Sequence, residues 1–457
     1  MPSSWVTSWV FVAATAISVA SSDVATDANS ASDDSVDAAQ LTTLSHRPIG
    51  EAASLLATYT GQAATNLKGG FQYGREYAGR ILVQGRFDLQ RTLALGGQIT
   101  VFLTNRHGRE LSATAIGNNT SVQEVYGPQE TGLALVAYQQ EYLDGRLELE
   151  AGRIVANTAF LDSPSYCHFQ SNSVCPCPTF IFKTSNFTFF PAPSWGAHIK
   201  AWTNSRWYVH GGVYEVNPEK KRPSANGFDW STRSATGVIV PFEIGYQTSG
   251  KEDRLPRHYR LGGWRDTGDY SDPSRDEAGD LAIFSGSPRA IRAGRAGLFV
   301  QLEQTIRRDA FSDRSLTIFG VAMAGTSGRV VEDRFLEIGL VQAGTFRGRD
   351  DDTFGFVFNE QRFSRWALEN GRAARAASGG VHRPPRNQMM FELAYGAQLT
   401  PRVRISPNIQ YIAHPDQMAD PFQAKDTPDA LIIGLKFTVD APIPLPPRMR
   451  RTRSWRG

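Results

Sequence analysis

Between residues 430 and 440 apolar and polar side chains alternate without a break. Leu431, Ile433, Leu435, Phe437 and Val439 share one face of an extended strand, and Gly434, Lys436, Thr438 and Asp440 share the other. The pattern recurs upstream. Ile81, Val83, Phe87 and Leu89 alternate with Gln84, Arg86 and Asp88, and Leu93, Leu95, Ile99, Val101 and Leu103 with Gln98, Thr100 and Thr104. Phe391, Leu393 and Tyr395 alternate with Glu392 and Gly396, and Val403, Ile405, Pro407, Ile409 and Tyr411 with Arg404, Ser406, Asn408 and Gln410. Further strands are predicted over 134–142, 146–152, 208–216, 238–247, 259–267, 298–306, 316–324, 335–346 and 353–358, and a short helix over 51–60. Asp144-Gly145 marks a hairpin.

Many strands, each apolar on one face and polar on the other, predict an all-β chain: a transmembrane antiparallel β-barrel around water. At ~10 residues per spanning strand, residues 55–440 suit roughly sixteen strands. An arginine turned to lipid near the midplane costs about 2–4 kcal/mol. Arg86, Arg404 and Lys436 are therefore expected to face the lumen. Pro407 removes a ladder donor and points to a bulge or a strand end. The alternation breaks at Gly152 and Arg153, so it assigns Arg153 no face. The segments 217–230, 266–293 and 366–386 read as long loops at one end, and 144–145 and 399–401 as short turns at the other. Long outer loops and short periplasmic turns are the asymmetry of such barrels.

Residues 1–20 carry no charged side chain and end in small residues, which predicts a cleaved signal peptide despite the missing basic start. Residues 21–54 are rich in Ser, Asp, Ala and Thr and predict a disordered or short-helical segment before the barrel. Residues 441–457 form a Pro-rich and then Arg-rich extension, and without its five Arg the net charge falls from +3 to −2. A net charge of +3 points to no nucleic-acid partner. A mean hydropathy of −0.32 does not oppose a membrane location, because every second barrel residue is polar.

Three cysteines fall close together. In an exported chain Cys167 and Cys175 are the natural disulfide, pinning one loop, with Cys177 left over. The cluster, with His168 beside it, is too compact for a structural metal site. No Gly-x-Ser-x-Gly elbow and no His-Glu-x-x-His pair occurs, so neither an outer-membrane lipase nor a metalloenzyme is favoured.

An ordered set of segments carries a resemblance: 67–74 (LKGGFQYG) with 77–79 (YAG), 141–153 (EYLDGRLELEAGR), the loop from Cys167 to Cys175, and 193–196 (PSWG). It continues through 211–218 (GGVYEVNP), 241–246 (PFEIGY), 297–304 (GLFVQLEQ), 348–352 (GRDDD), 407–415 (PNIQYIAHP) and 429–436 (DALIIGLK). Together these resemble the carbohydrate-selective outer-membrane porin family of OprB type across roughly residues 55–440. The resemblance implies a sixteen-strand barrel in the bacterial outer membrane. It implies passive diffusion of glucose and related sugars, without cofactor or metal. Its implied partners are small neutral sugars, outer-membrane lipid and the barrel-assembly machinery; it leaves trimer and monomer open. One departure is the extension past the last strand, where such barrels usually end.

A sugar-selective lumen needs paired donors and acceptors for hydroxyls and aromatic faces for the ring. By strand parity Arg86, Asp88, Glu243, Glu303, Glu392, Arg404, Asn408 and Gln410 supply the first. Trp195, Trp202 or Trp264 supply the second. Each also suits a structural role, the charged ones in lumen ion pairs and the aromatics in interface belts. The alternative is a general or anion-preferring porin, with Lys200, Arg206, Arg260 and Arg265 as a basic ladder. A soluble all-β sugar-binding protein is a further rival, separable by extraction without detergent.

Overall fold

The structure is a computed structural model that describes residues 52–445 except 223–225, 311 and 313. The expected leader, most of the segment 21–54 and residues 446–457 of the extension lie outside the described residues. Sixteen strands run in chain order. They are β1 (Ala53–Lys68), β2 (Arg75–Asp88), β3 (Gln98–Gly108), β4 (Thr131–Tyr142), β5 (Leu147–Ile154), β6 (Ser194–Trp202), β7 (Trp207–Val216) and β8 (Gly237–Gln247). Then follow β9 (Arg257–Asp276), β10 (Arg289–Arg308), β11 (Ser315–Ser327), β12 (Glu332–Ala343), β13 (Thr353–Phe363), β14 (Asn387–Thr400), β15 (Val403–Ala413) and β16 (Ala430–Ile443). Each pairs antiparallel with the next, and β1 closes on β16 in the register Tyr59↔Val439. No sheet edge is left, which is what a lipid environment demands of strands.

The outer wall follows the alternation. Ile199, Leu261, Leu298, Val300, Ile338 and Ile433 are exposed on it, and Arg86, Glu392 and Lys436 are buried on the lumen side. Trp207, Tyr246 and Tyr259 lie in a row at the short-turn end, Trp207 edge-on to Tyr246 at 5.1 Å and Tyr246 stacked on Tyr259 at 6.3 Å between ring centroids. Such a row is an interfacial aromatic belt. The long connections 109–130, 155–193, 217–236, 364–386 and 414–429 all follow odd-numbered strands and so lie at one end.

Several local expectations are corrected. Residues 53–60, expected to be helical, open β1. Leu93 and Leu95 are not in a strand: Asp88 caps a short helix, α1 (Leu89–Leu93), and the turn after it carries Leu95. Much of 266–293 is strand, because β9 and β10 project beyond the other strands, and 366–386 holds a helix. The other α-helices among the described residues are α2 (Phe180–Thr184), α3 (Ala282–Ser285) and α4 (Arg365–Ala377). Pro407 pairs with Leu435 on β16, while the β14–β15 ladder steps from Ala394↔Asn408 to Ala397↔Ile405 and leaves Pro407 unpaired on that side. The missing N–H therefore falls in a gap.

Arg153 faces outward. It sits opposite Trp195, whose backbone N–H donates to Glu215 at 3.4 Å. Glu215 is opposite Val238, an exposed outer-wall residue. The Arg153 guanidinium lies 3.9 Å from the Glu215 carboxylate and 6.0 Å from the Trp230 ring, and the side chain is fully covered. An outward arginine is tolerated here because the β7–β8 connection, carrying Trp230, shields it with its counter-charge.

The lumen is not simply polar. On β9–β12 the inward side chains include Trp264, Phe299, Phe319, Met323 and Phe335, all buried. They pack in one apolar cluster with Phe169, Phe180 and Ile181 of the β5–β6 connection. Strands covered on both faces need apolar residues on both.

Candidate functional site in the barrel lumen

The 39-residue connection 155–193 turns into the barrel and is fastened to its wall nearly all the way round. Glu392 on β14 accepts the backbone N–H groups of Gln170 at 2.6 Å and Ser171 at 3.0 Å. Asn408 on β15 donates to the Gln170 side chain at 2.9 Å. Lys436 on β16 donates to the carbonyl of Cys167 at 2.8 Å. Asn359 on β13 donates to Ser173 at 2.9 Å, and Arg260 on β9 pairs with Asp162 at 2.5 Å. Ser163 donates to Glu303 on β10. The Cys167–Cys175 disulfide closes a short loop at the centre of this network, and Cys177 is free and buried. The wall thus holds the loop through hydrogen bonds that water would otherwise take, which sets how much lumen is left.

The connection 109–130 adds a second inward arm. Its Glu124 lies 3.6 Å from Arg80 and 3.9 Å from Lys436. Gln410 donates to the carbonyl of Val122 at 3.1 Å. Beside this arm the guanidinium groups of Arg80 and Arg106 lie 5.7 and 5.8 Å from the ring of Phe190, a residue of the larger loop. Adjacent arginines are held apart from bulk water by one carboxylate and one aromatic face.

Between the loop and strands β5–β10 a cavity of about 460 Å3 remains. Thr248 and Pro256 of the β8–β9 turn and Arg257 at the start of β9 line it, so it opens toward the short-turn end. Tyr208 donates to Glu243 at 3.0 Å and bonds His258 at 2.7 Å. His210 lies 3.4 Å from Glu243 and 3.0 Å from His198, and Phe160 of the loop stacks on His210 at 3.9 Å and 10°. Lys200 lies 4.2 Å from the Tyr208 ring and 4.7 Å from that of Trp202, whose indole N–H donates to Glu148 at 2.7 Å. One carboxylate oxygen, Glu243 Oε2, is buried and has no hydrogen-bond partner. The cavity therefore joins aromatic faces to donors and acceptors of both charges, with one buried acceptor left unsatisfied.

The eight residues expected to meet solute separate into groups. Glu243 and Glu303 line the cavity. Glu392, Asn408 and Gln410 face inward but are occupied by the two inward arms. Arg404 faces inward near the short-turn end and is tied to Gln398 at 3.0 Å and to Thr353. Arg86 is buried on the lumen side, and Asp88 is the cap of α1, accepting the Arg91 N–H at 3.0 Å. Of the three tryptophans Trp202 shares its strand and face with the cavity residue Lys200, Trp264 is packed edge-on to Phe180, and Trp195 lies on the outer wall. Tyr208, His198, His210 and Asp162 were not anticipated. The alternation of Trp207–Val216 places Tyr208 and His210 on one face, which is the signal that could have found them.

The comparisons agree with this architecture. Porin B of Pseudomonas aeruginosa is 27% identical over 398 residues, covering 83% of this chain and 85% of that protein. The high-pH structure of Pseudomonas putida OprB superposes with a TM-score of 0.76 at 26% identity, covering 85% of this chain and 94% of that one. The low-pH structure of the same protein matches in fold, with a TM-score of 0.51 at 19% identity over 85% of this chain and 93% of that one. The family model described as carbohydrate-selective porin, OprB family, matches residues 73–440, and the chain belongs to that family of outer-membrane β-barrel porins.

Proposed function

We propose that the chain passes small neutral carbohydrates, glucose and related sugars among them, by diffusion, with the cavity beside Tyr208 as its selective subsite. The unsatisfied buried acceptor Glu243 Oε2, on a residue that lines a 460 Å3 cavity next to an aromatic face, is the observation that carries this reading. A cavity of that size takes a small solute, and an unpaired buried oxygen gains most from a hydroxyl donor. Charges of both signs, Lys200 and Arg260 against Glu243 and Glu303, disfavour a net anion or cation less than they favour a neutral polar solute. Arg86, Arg404, Asn408 and Gln410 belong to the same reading as wall groups that shape the path, and Glu392 as a loop anchor.

The anion-preferring alternative needs Lys200, Arg206, Arg260 and Arg265 in one ladder. Lys200 and Arg260 line the cavity, but Arg206 sits in the β6–β7 turn and Arg265 is exposed, with the outward parity of Leu261. Cleavage of the 1–20 leader, delivery by the barrel-assembly machinery and assembly as a trimer or a monomer are part of the same proposal. Swelling of protein-loaded liposomes in glucose against an equal-sized charged solute tests it. Faster entry of glucose, slowed in Glu243→Gln, supports the reading; equal entry of both solutes in both proteins refutes it.

A further inference from the structure

A second cavity, of about 300 Å3, lies at the long-loop end, far from Glu243 in the topology. Every residue lining it comes from the upper ends of strands or from the connections between them. Its walls are mainly apolar: Phe363, Leu368, Met418 and the rings of Pro273, Pro384 and Pro385.

Its charged groups are already satisfied. Asp272 is buried, accepts the backbone N–H groups of Ser274 and Arg275 at 2.9 and 3.0 Å, and pairs with Arg329 at 3.1 Å and with Arg292. Asp416 accepts the N–H groups of Asn119 at 2.9 Å and Met418 at 3.1 Å. Burial raises the Asp416 carboxyl above its usual range, and Lys183 and those two N–H groups oppose the rise. One buried polar atom of the lining is left over. Asn370, on α4, is 6% exposed, and its Nδ2 donates to the carbonyl of Pro273 at 2.8 Å. Its Oδ1 is buried without a hydrogen-bond partner.

The walls are also held still. Arg375 of α4, 1% exposed, pairs with Asp426 at 2.5 Å and reaches Gln417, tying α4 to the 414–429 connection. Glu369 pairs with Arg275 of β9. Loops fixed in this way form a site before a ligand arrives, which lowers the ordering cost of binding.

We infer that this cavity is a capture site for one pyranose-sized neutral sugar at the extracellular mouth, with Asn370 Oδ1 accepting a hydroxyl and the proline and Phe363 surfaces covering the sugar's C–H face. The inference rests on the sugar-porin reading above. The volume sits at the lower bound of ordinary ligand sites, so a single ring fits and a longer oligosaccharide does not. A charged ligand is not favoured here, because Asp272 and Asp416 already have their partners and Arg289 donates to the carbonyls of Asp272 and Pro273 at 3.1 and 2.7 Å.

The test uses the full-length protein, inserted with one orientation in a planar bilayer, with glucose added to each side in turn. Two half-blocking concentrations are expected, the lower from the long-loop side. Asn370→Leu raises only that one, by about tenfold. Glu369→Ala frees α4 from Arg275 of β9 without touching the cavity lining, and is expected to hold the wild-type value; the same rise in both variants would mean that Asn370 acts by fastening α4, and would overturn the capture site. A single half-blocking concentration, equal from both sides and unmoved by Asn370→Leu, also overturns it while leaving the lumen reading intact. No sugar effect from either side, in protein that conducts, refutes the sugar-porin reading itself.

Discussion

Glu392 accepts the backbone N–H of Gln170 at 2.6 Å across the lumen, although 222 residues separate them in the chain. The same carboxylate holds Ser171, so one side chain fixes the crown of the inward loop. Glu392→Ala leaves two loop N–H groups without their acceptor, at about 1–3 kcal/mol each where they stay buried. The expected outcome is a loop that leaves the wall: larger and noisier single-channel conductance, with weaker block by glucose. The sixteen-strand ladder does not depend on this contact, so the folded barrel should persist in cold SDS electrophoresis. Unchanged conductance would show that Lys436, Asn408 and Arg260 hold the loop without Glu392.

The Cys167–Cys175 bridge lies beside the Lys436 contact. Chain entropy assigns about 2.6 kcal/mol to closing so short a loop. The double substitution Cys167→Ser with Cys175→Ser, or reduction of the native protein, should therefore loosen the lumen while sparing the wall. Conductance recorded before and after reductant checks this: increased flickering is expected, with the folded barrel still present in cold SDS electrophoresis.

On the outer wall Arg153 and Glu215 are both buried, with the Trp230 ring beside the Arg153 guanidinium. Removing one partner leaves a covered charge uncompensated, at about 3–5 kcal/mol, whereas replacing both with apolar residues is often near neutral. Glu215→Ala should lower unfolding stability in lipid vesicles by that order, and adding Arg153→Met should restore most of it. A double variant as unstable as the single one would mean that Arg153 has another role.

Strand parity made the wall legible where only one face is packed: Ile433 and Leu435 lie outside and Lys436 inside, as alternation requires. It is silent where both faces are covered. Phe299, Phe319 and Phe335 point inward because the loop residues Phe169 and Phe180 meet them, and alternation carries no trace of that loop. Arg153 escaped assignment because a local sequence pattern cannot say that a later connection will shield an outward charge. The site was legible to the same extent. Parity placed Glu243, Glu303, Glu392, Asn408 and Gln410 inward, but which of them face open space depends on contacts across more than a hundred residues. The opening of β1 was misread because small and apolar residues such as Ala53, Leu55 and Leu56 suit either period.

The lipid face gives a simpler prediction. Val300 is 53% exposed in the middle of β10, between Leu298 and Leu302, which are exposed as well. Val300→Arg places a guanidinium near the bilayer midplane and should cost about 2–4 kcal/mol of stability in vesicles. Urea titration in lipid measures it, and no loss would mean that this stretch does not sit in hydrocarbon.

The central claim is a sugar-interacting pore narrowed by the 155–193 loop. Single-channel recording of the refolded protein in a planar bilayer, with glucose titrated in, tests it most directly. The account predicts discrete conductance steps that glucose reduces in a saturable way, and a weaker reduction in Glu243→Gln. Steps that ignore glucose and discriminate only between anions and cations would contradict it.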